Sequence, residues 1–134
     1  MKKTYHGSCH CGAVRFEAAI DLSGETSKCN CSICTKGRFW KTMVPKIEFR
    51  LVQGEDSLTN YQFGRKVIQH VFCKTCGIKP YGRVEMPELG GTFYAVSVSC
   101  LDDATTNEWA EAPVIFQDGR HDDYEHPPAQ TNYL

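Results

Sequence analysis

Seven of the eight cysteines in this 134-residue chain fall into three close-spaced groups. The groups are Cys9-x-Cys11 before Gly12, Cys29-x-Cys31-x-x-Cys34, and Cys73-x-x-Cys76 before Gly77. Thiolates at such spacing suit zinc, which takes sulfur ligands at about 2.3 Å in a tetrahedron. Residues two apart on an extended segment project to one face, so Cys9 and Cys11 can reach one ion while His10 points away. The two-residue gap of Cys73–Cys76 makes a tight turn, and Gly77 accepts the positive φ that follows it. Buried apolar packing and disulfides are the alternatives. A bridge within Cys-x-Cys would be strained.

Two pairs close a four-thiolate site most simply: Cys9, Cys11, Cys73 and Cys76. That leaves Cys29, Cys31 and Cys34 as a three-ligand site. A structural zinc has all four positions filled by protein, whereas a catalytic zinc keeps one exchangeable position. A cation there lowers the pKa of a bound water or incoming thiol and polarises a carbonyl. Spacing alone equally allows two members of the triplet to join Cys9 and Cys11. Cys100, in "VSVSCL", reads as a small buried hydrophobe on an apolar strand. Among the histidines, His70 falls on the strand face opposite Cys73, and His6 lies in a loop from which it could swing into a site. His121 and His126 belong to a polar, solvated tail. Phe39 and Trp40, just after the triplet, read as core residues or as a pocket wall. Lys36 and Arg38 read as solvated surface or as partners for the carboxylates of a peptide-like thiol.

The elements that must position these groups are short strands. "AVRFEAAI" (13–20) and "IEFRLV" (47–52) alternate apolar and polar side chains. "LTNYQF" (58–63) and "KVIQHVF" (66–72) flank "GR", a candidate hairpin connection. "TFYAVSVSCL" (92–101) and "PVIFQ" (113–117) complete the strand set. Short helices are predicted in "CSICTKGRF", ended by Gly37, and in "LDDATTNEWAEA" (101–112), with Asp102 or Asp103 near its start. The expectation is one mostly antiparallel all-β domain over 1–134, loops carrying the cysteines, and a surface tail over 118–134.

Composition excludes several classes. A formal net charge of -1 with scattered basic residues provides no field for nucleic acid. No stretch is long and apolar enough for a membrane helix. The N-terminal "MKKTYHGSCHCG" lacks the apolar core of a signal peptide. The expected location is therefore the cytoplasm, where thiols stay reduced and clustered cysteines bind metal. Oligomeric state is not legible in the sequence.

"GSCHCGAVRFE", "CNCSICTKG", "FCKTCGIKPYGR" and "YAVSVSCLDD", in that order over residues 7 to 103, resemble the glutathione-dependent formaldehyde-activating enzyme family, which shares its domain with centromere protein V. The resemblance implies an Mss4-like fold of zinc-stabilised, folded antiparallel sheets. It also implies a partition: structural zinc on Cys9, Cys11, Cys73 and Cys76, and a second zinc credited with catalysis on Cys29, Cys31 and Cys34. The negative charge of three thiolates and the vacant fourth position lead to the expectation that this second zinc is weaker or substrate-completed. The implied activity is of the carbon–sulfur lyase type, condensing glutathione with formaldehyde to S-hydroxymethylglutathione. The competing expectation is a zinc-stabilised protein-binding module without turnover.

Overall fold

The computed structural model describes residues 1–134. Its first sheet follows from period-two alternation. In β2 (Arg15–Ile20), Phe16, Ala18 and Ile20 are buried and Arg15 is exposed. β2 pairs antiparallel with β1 (Lys3–Ser8) on one side and β5 (Phe49–Gln53) on the other. Gly7 of β1 must lack a side chain, because the Phe16 ring occupies the place a Cβ would take.

The second sheet has seven strands in the order β10-β3-β4-β9-β8-β7-β6. They are β3 (Thr26–Cys29), β4 (Trp40–Pro45), β6 (Leu58–Tyr61), β7 (Ile68–Cys73), β8 (Tyr81–Met86), β9 (Gly91–Ser97) and β10 (Val114–Gln117). All neighbours are antiparallel except β10 and β3, which run parallel with Val114 opposite Thr26. Tyr5, Phe16 and Ile20 of the first sheet pack against Val44 and Val96 of the second. Phe49 closes this core by stacking on Tyr94 at 4.1 Å between ring centres.

Four strands lie outside the sequence expectation: β1, β3, β4 and β8. β3, "TSKC", carries polar residues, yet Thr26 and Ser27 are buried. Thr26 can be buried because its hydroxyl donates to the Pro113 carbonyl at 2.6 Å. β8 contains Gly82 and follows Pro80, which obscures any alternation. Other strands are shorter than read. Ile47 is 93% exposed in a 3-10 turn over Lys46–Glu48, so β5 begins only at Phe49. The strand expected over 92–101 stops at Ser97, and Val98–Cys100 form a 3-10 turn. The connection of β6 to β7 spans residues 62–67, with Gly64 and Lys66 both at positive φ, rather than the two residues "GR".

Two helices are present, α1 (Ser32–Gly37) and α2 (Thr106–Glu111). α1 ends through Arg38, which adopts a left-handed conformation at φ 49°, rather than at Gly37 itself. α2 starts from Thr105 and not from an aspartate. The Thr105 hydroxyl accepts from the Glu108 N–H at 3.1 Å, and the Glu108 carboxylate accepts from the Thr105 N–H at 2.9 Å. Asp102 and Asp103 bind β1 instead, accepting from the Ser8 hydroxyl and the His6 N–H. Thr105→Ala should therefore cost about 1 kcal/mol in a denaturant melt, with the cysteine groups undisturbed. No helix is long and apolar enough to cross a membrane.

Candidate functional site

The sulfurs of Cys9, Cys11, Cys73 and Cys76 all lie within 4.8 Å of one another. Cys9 and Cys11 sit in the turn between β1 and β2, Cys73 ends β7, and Cys76 lies in the turn before β8. The group thus ties one sheet to the other. Cys9 to Cys11 and Cys11 to Cys73 each measure 3.7 Å between sulfurs. A tetrahedron with zinc–sulfur bonds of about 2.3 Å has edges of roughly 3.8 Å, so these donors fit the ion. Gly12 and Gly77 take φ of 80° and 79°, which lets the chain fold back behind each pair. Backbone N–H groups support the charge: Val14 N–H donates to the Cys9 sulfur at 3.3 Å. The backbone of Ile78, then that of Cys11, pulls the Cys76 thiol down to about 6.

The sulfurs of Cys29, Cys31 and Cys34 form a second group within the same limit of 4.8 Å. Cys29 ends β3, Cys31 is the residue before α1, and Cys34 lies within α1. The Cys31 N–H donates to the Cys29 sulfur at 3.4 Å. Hydrogen bonds from Cys29 and then Cys34 bring the Cys31 thiol down to about 2. The same two neighbours, then burial, push the Cys34 thiol up. Charge on one sulfur is thus bound to protons on its neighbours, which is what three thiols crowded around a cation-sized space must do.

The tail from Asp118 is polar but not loose. It clamps the triplet through Asn30, the buried residue between Cys29 and Cys31. Asn30 donates from Nδ2 to Asp118 at 2.8 Å, and its Oδ1 accepts from the Arg120 N–H at 3.0 Å. The Arg120 guanidinium donates to the Asn30 carbonyl at 3.1 Å. Gly119 rests directly on the thiols: a Cβ there would stand 2.5 Å from the Cys29 sulfur and 3.2 Å from the Cys31 Cβ. His121 and His126 are exposed and engage Asp118 and Asp123, not the thiols. Gly119→Val should displace Cys29 and weaken metal at the triplet by about 10–100-fold, the range for residues that support ligands. Competition against a chromophoric chelator reads that change.

A cleft of about 490 Å³ opens between the two groups, with Cys9 and Cys34 in its lining. Ile33, Phe39 and Ile78 give it an apolar side, and Ser8, Ser97, Ser99 and Asp102 a polar one. Arg38 lines it, whereas Lys36 does not. Phe39 and Trp40 divide: Phe39 walls the cleft, while Trp40 packs on the core and donates from Nε1 to Thr26 Oγ1 at 2.8 Å. His10 is exposed at the cleft edge, and His6 is held by Asp103 at 2.8 Å, away from the thiols. Cys100 is half-buried on the 3-10 turn and lines the cleft, rather than lying on a strand, and burial raises its thiol.

Lys79 escaped the sequence reading. It stands in "GIKPYG" between two apolar residues, and no spacing rule marks it. Its Nζ lies 2.7 Å from His70 Nδ1 and 4.1 Å from the centre of the Phe39 ring. Burial lowers the Lys79 ammonium to about 8, against an opposing pull from Cys34 and Cys31. His70, itself buried, stacks on Phe63 at 5.5 Å. Burial, then the Lys79 charge, holds its imidazole down at about 4, so it is a neutral acceptor near pH 7.

Known proteins resemble this chain in fold and in sequence. A crystal structure of a Rhodobacter sphaeroides protein matches with a TM-score of 0.68 and 30% identity, over 82% of this chain and 99% of that one. The family model for the glutathione-dependent formaldehyde-activating enzyme matches residues 4–118, a span that holds the seven clustered cysteines, Lys79 and the start of the clamp at Asp118. Two folded, almost wholly antiparallel sheets are the Mss4-like fold of that family. With its match running from β1 to the end of β10, the chain belongs to the glutathione-dependent formaldehyde-activating enzyme family.

Proposed function

We propose that this chain is a single-domain, zinc-dependent enzyme of carbon–sulfur lyase type that joins a small thiol to an aldehyde. Glutathione and formaldehyde are the pair the family description names. The observation that carries the reading is the cleft beside the triplet: Cys34 stands in its wall, so a ligand in the cleft meets the three-thiol group. Its volume of about 490 Å³ suits a small-molecule site.

Cys9, Cys11, Cys73 and Cys76 would hold a structural zinc, and Cys29, Cys31 and Cys34 a second one. With three protein ligands, that second ion would supply a position at which an incoming thiol is held as thiolate. The chain's own residues do the rest. Ile33, Phe39 and Ile78 exclude water from one side of the cleft. The Arg38 guanidinium offers a fork to a carboxylate of a peptide-like thiol. Asp102 and the serine hydroxyls offer acceptors to its ammonium and amide groups. Ligands that must stay reduced suit a reducing compartment such as the cytoplasm.

Isothermal calorimetry with glutathione tests this directly. The zinc-loaded protein should release heat at a stoichiometry of one, and Arg38→Ala should weaken binding by about tenfold, the cost of one charge-assisted bond. Formation of the hydroxymethyl adduct from 13C-formaldehyde, followed by NMR, should exceed the uncatalysed rate. One tightly held zinc, an inert triplet and no heat with glutathione would instead describe a binding module.

A further inference from the structure

A lysine drawn into a protein wall needs a reason, because desolvating an ammonium is costly unless it is paired. The usual partner is a carboxylate. Lys79 has none: its Nζ contacts are the neutral His70 imidazole and the face of Phe39. An ammonium has three N–H donors. One is taken by His70 Nδ1. The others remain beside a cleft whose lining includes Lys79, Phe39 and Cys34. His70 is in turn fixed by burial in β7 and by its stack on Phe63, so the lysine head is aimed rather than floating.

We propose that Lys79 is a catalytic residue of this cleft, its ammonium positioned by His70 and Phe39 to donate a hydrogen bond, and then a proton, to the carbonyl oxygen of the aldehyde as a thiolate adds to the carbonyl carbon. The step balances without any redox change. A sulfur lone pair forms the C–S bond, the carbonyl π pair moves to oxygen, and oxygen takes a proton from Lys79. The proton that the thiol lost returns to Lys79 through solvent, so the sum is thiol plus aldehyde giving the hydroxymethyl thioether. A donor aimed at the oxygen where charge develops is the arrangement that lowers the barrier most. The groups facing Lys79 are His70 from β7, Cys31 and Cys34 from the triplet, and Lys41 from β4. Arg38 and Asp102 share the cleft lining with it. The proposal rests on the thiol–aldehyde reading above.

The test compares wild type, Lys79→Gln and Lys79→Arg as zinc-loaded full chains, with glutathione and 13C-formaldehyde, by NMR exchange rates. Lys79→Gln should lower kcat about 100-fold, the low end of the general-acid range, with glutathione Kd and zinc content unchanged. In wild type, kcat should fall on the alkaline side as Lys79 loses its proton, burial holding its ammonium below the ordinary lysine range. Lys79→Arg keeps its charge at every accessible pH, so that alkaline limb should vanish. His70→Gln, which unfixes the lysine without removing it, should lower kcat and move the limb, a shift that a purely structural histidine would not produce. Wild-type kcat in Lys79→Gln overturns the proposal. So does a rate loss that merely tracks lost zinc, for Lys79 would then be a counter-charge to the thiolates. A wild-type protein with no rate above background defeats the thiol–aldehyde reading first, and the proposal falls with it.

Discussion

Cys73→Ala is expected to abolish cooperative melting and release one zinc per chain. Cys73 is fully buried at the end of β7, and its sulfur lies 3.7 Å from that of Cys11. Removing it would leave three donors for the ion proposed to staple the two sheets together. Structural zinc contributes about 10–16 kcal/mol of apparent folding free energy, while a domain's whole stability is about 5–15 kcal/mol. The loss therefore matches or exceeds everything else that holds the chain together. The second hydrophobic cluster sharpens the point, because Cys9, Cys73 and Val14 are its only fully buried members. Without the ion, that end of the molecule has almost no apolar core of its own. Differential scanning calorimetry and metal analysis by mass spectrometry check the result. An unchanged melting curve would remove the structural role from all four cysteines.

Cys31→Ala should do the opposite: leave the fold and remove the chemistry. Cys31 is half-exposed, makes no side-chain cap to α1, and α1 buries no residue of its own. The clamp from the tail runs through Asn30, Asp118 and Arg120, none of which needs the Cys31 sulfur. With the four-cysteine site loaded and the triplet empty in both proteins, the variant should melt within about 0.5 kcal/mol of wild type, as surface substitutions do. The triplet should lose its zinc, and adduct formation should fall by more than the roughly 10–100-fold seen when only a ligand's supporting partner is removed. Glutathione calorimetry should show no heat in the same variant. Global unfolding of Cys31→Ala would mean that both cysteine groups are structural, and the cleft would lose its claim as a reaction site.

The two variants are expected to differ because the two groups are built differently. The four-cysteine group draws ligands from turns more than 60 residues apart, Cys11 and Cys73, and so it closes long loops in both sheets. The triplet draws its ligands from one strand end and the helix that follows. Removing a long-range tie frees far more chain than removing a local one. Position in the topology, not cysteine count, is the basis for the proposed division into a structural and a reacting group.

Much of this was legible in the residues. Alternation located β2 and β5, because a half-buried strand repeats every two residues, and apolar runs bounded by turn signals located β6, β7, β9 and β10, all to within a few positions. The two-residue gap of Cys73–Cys76 before a glycine announced a tight turn, and Gly77 does take the positive φ this needs, whereas Cys9–Cys11, read as extended, lies in a turn that Gly12 closes at φ 80°. What alternation could not reveal were β3 and β8. Thr26 and Ser27 are polar residues made buryable by partners far along the chain, such as the Pro113 carbonyl. Gly82 in β8 erases the pattern altogether. Asp102 and Asp103 looked like helix starters, but β1 offered them N–H and hydroxyl donors that are invisible in sequence.

By itself the sequence determined which residues are candidate metal ligands, since each cysteine pair or triplet is a local feature whose geometry spans at most six residues. It also determined that the fold is built of strands, since that too is a short-range periodicity. Only the tertiary structure decided how the groups combine, with Cys9 and Cys11 beside Cys73 and Cys76 and the triplet apart. It alone placed a cleft at the triplet, laid Gly119 against the Cys29 sulfur, and set Lys79 on His70. Those contacts join residues from separate strands and turns. Their partners are chosen by the packing of two sheets, a long-range outcome that no window of neighbouring residues contains.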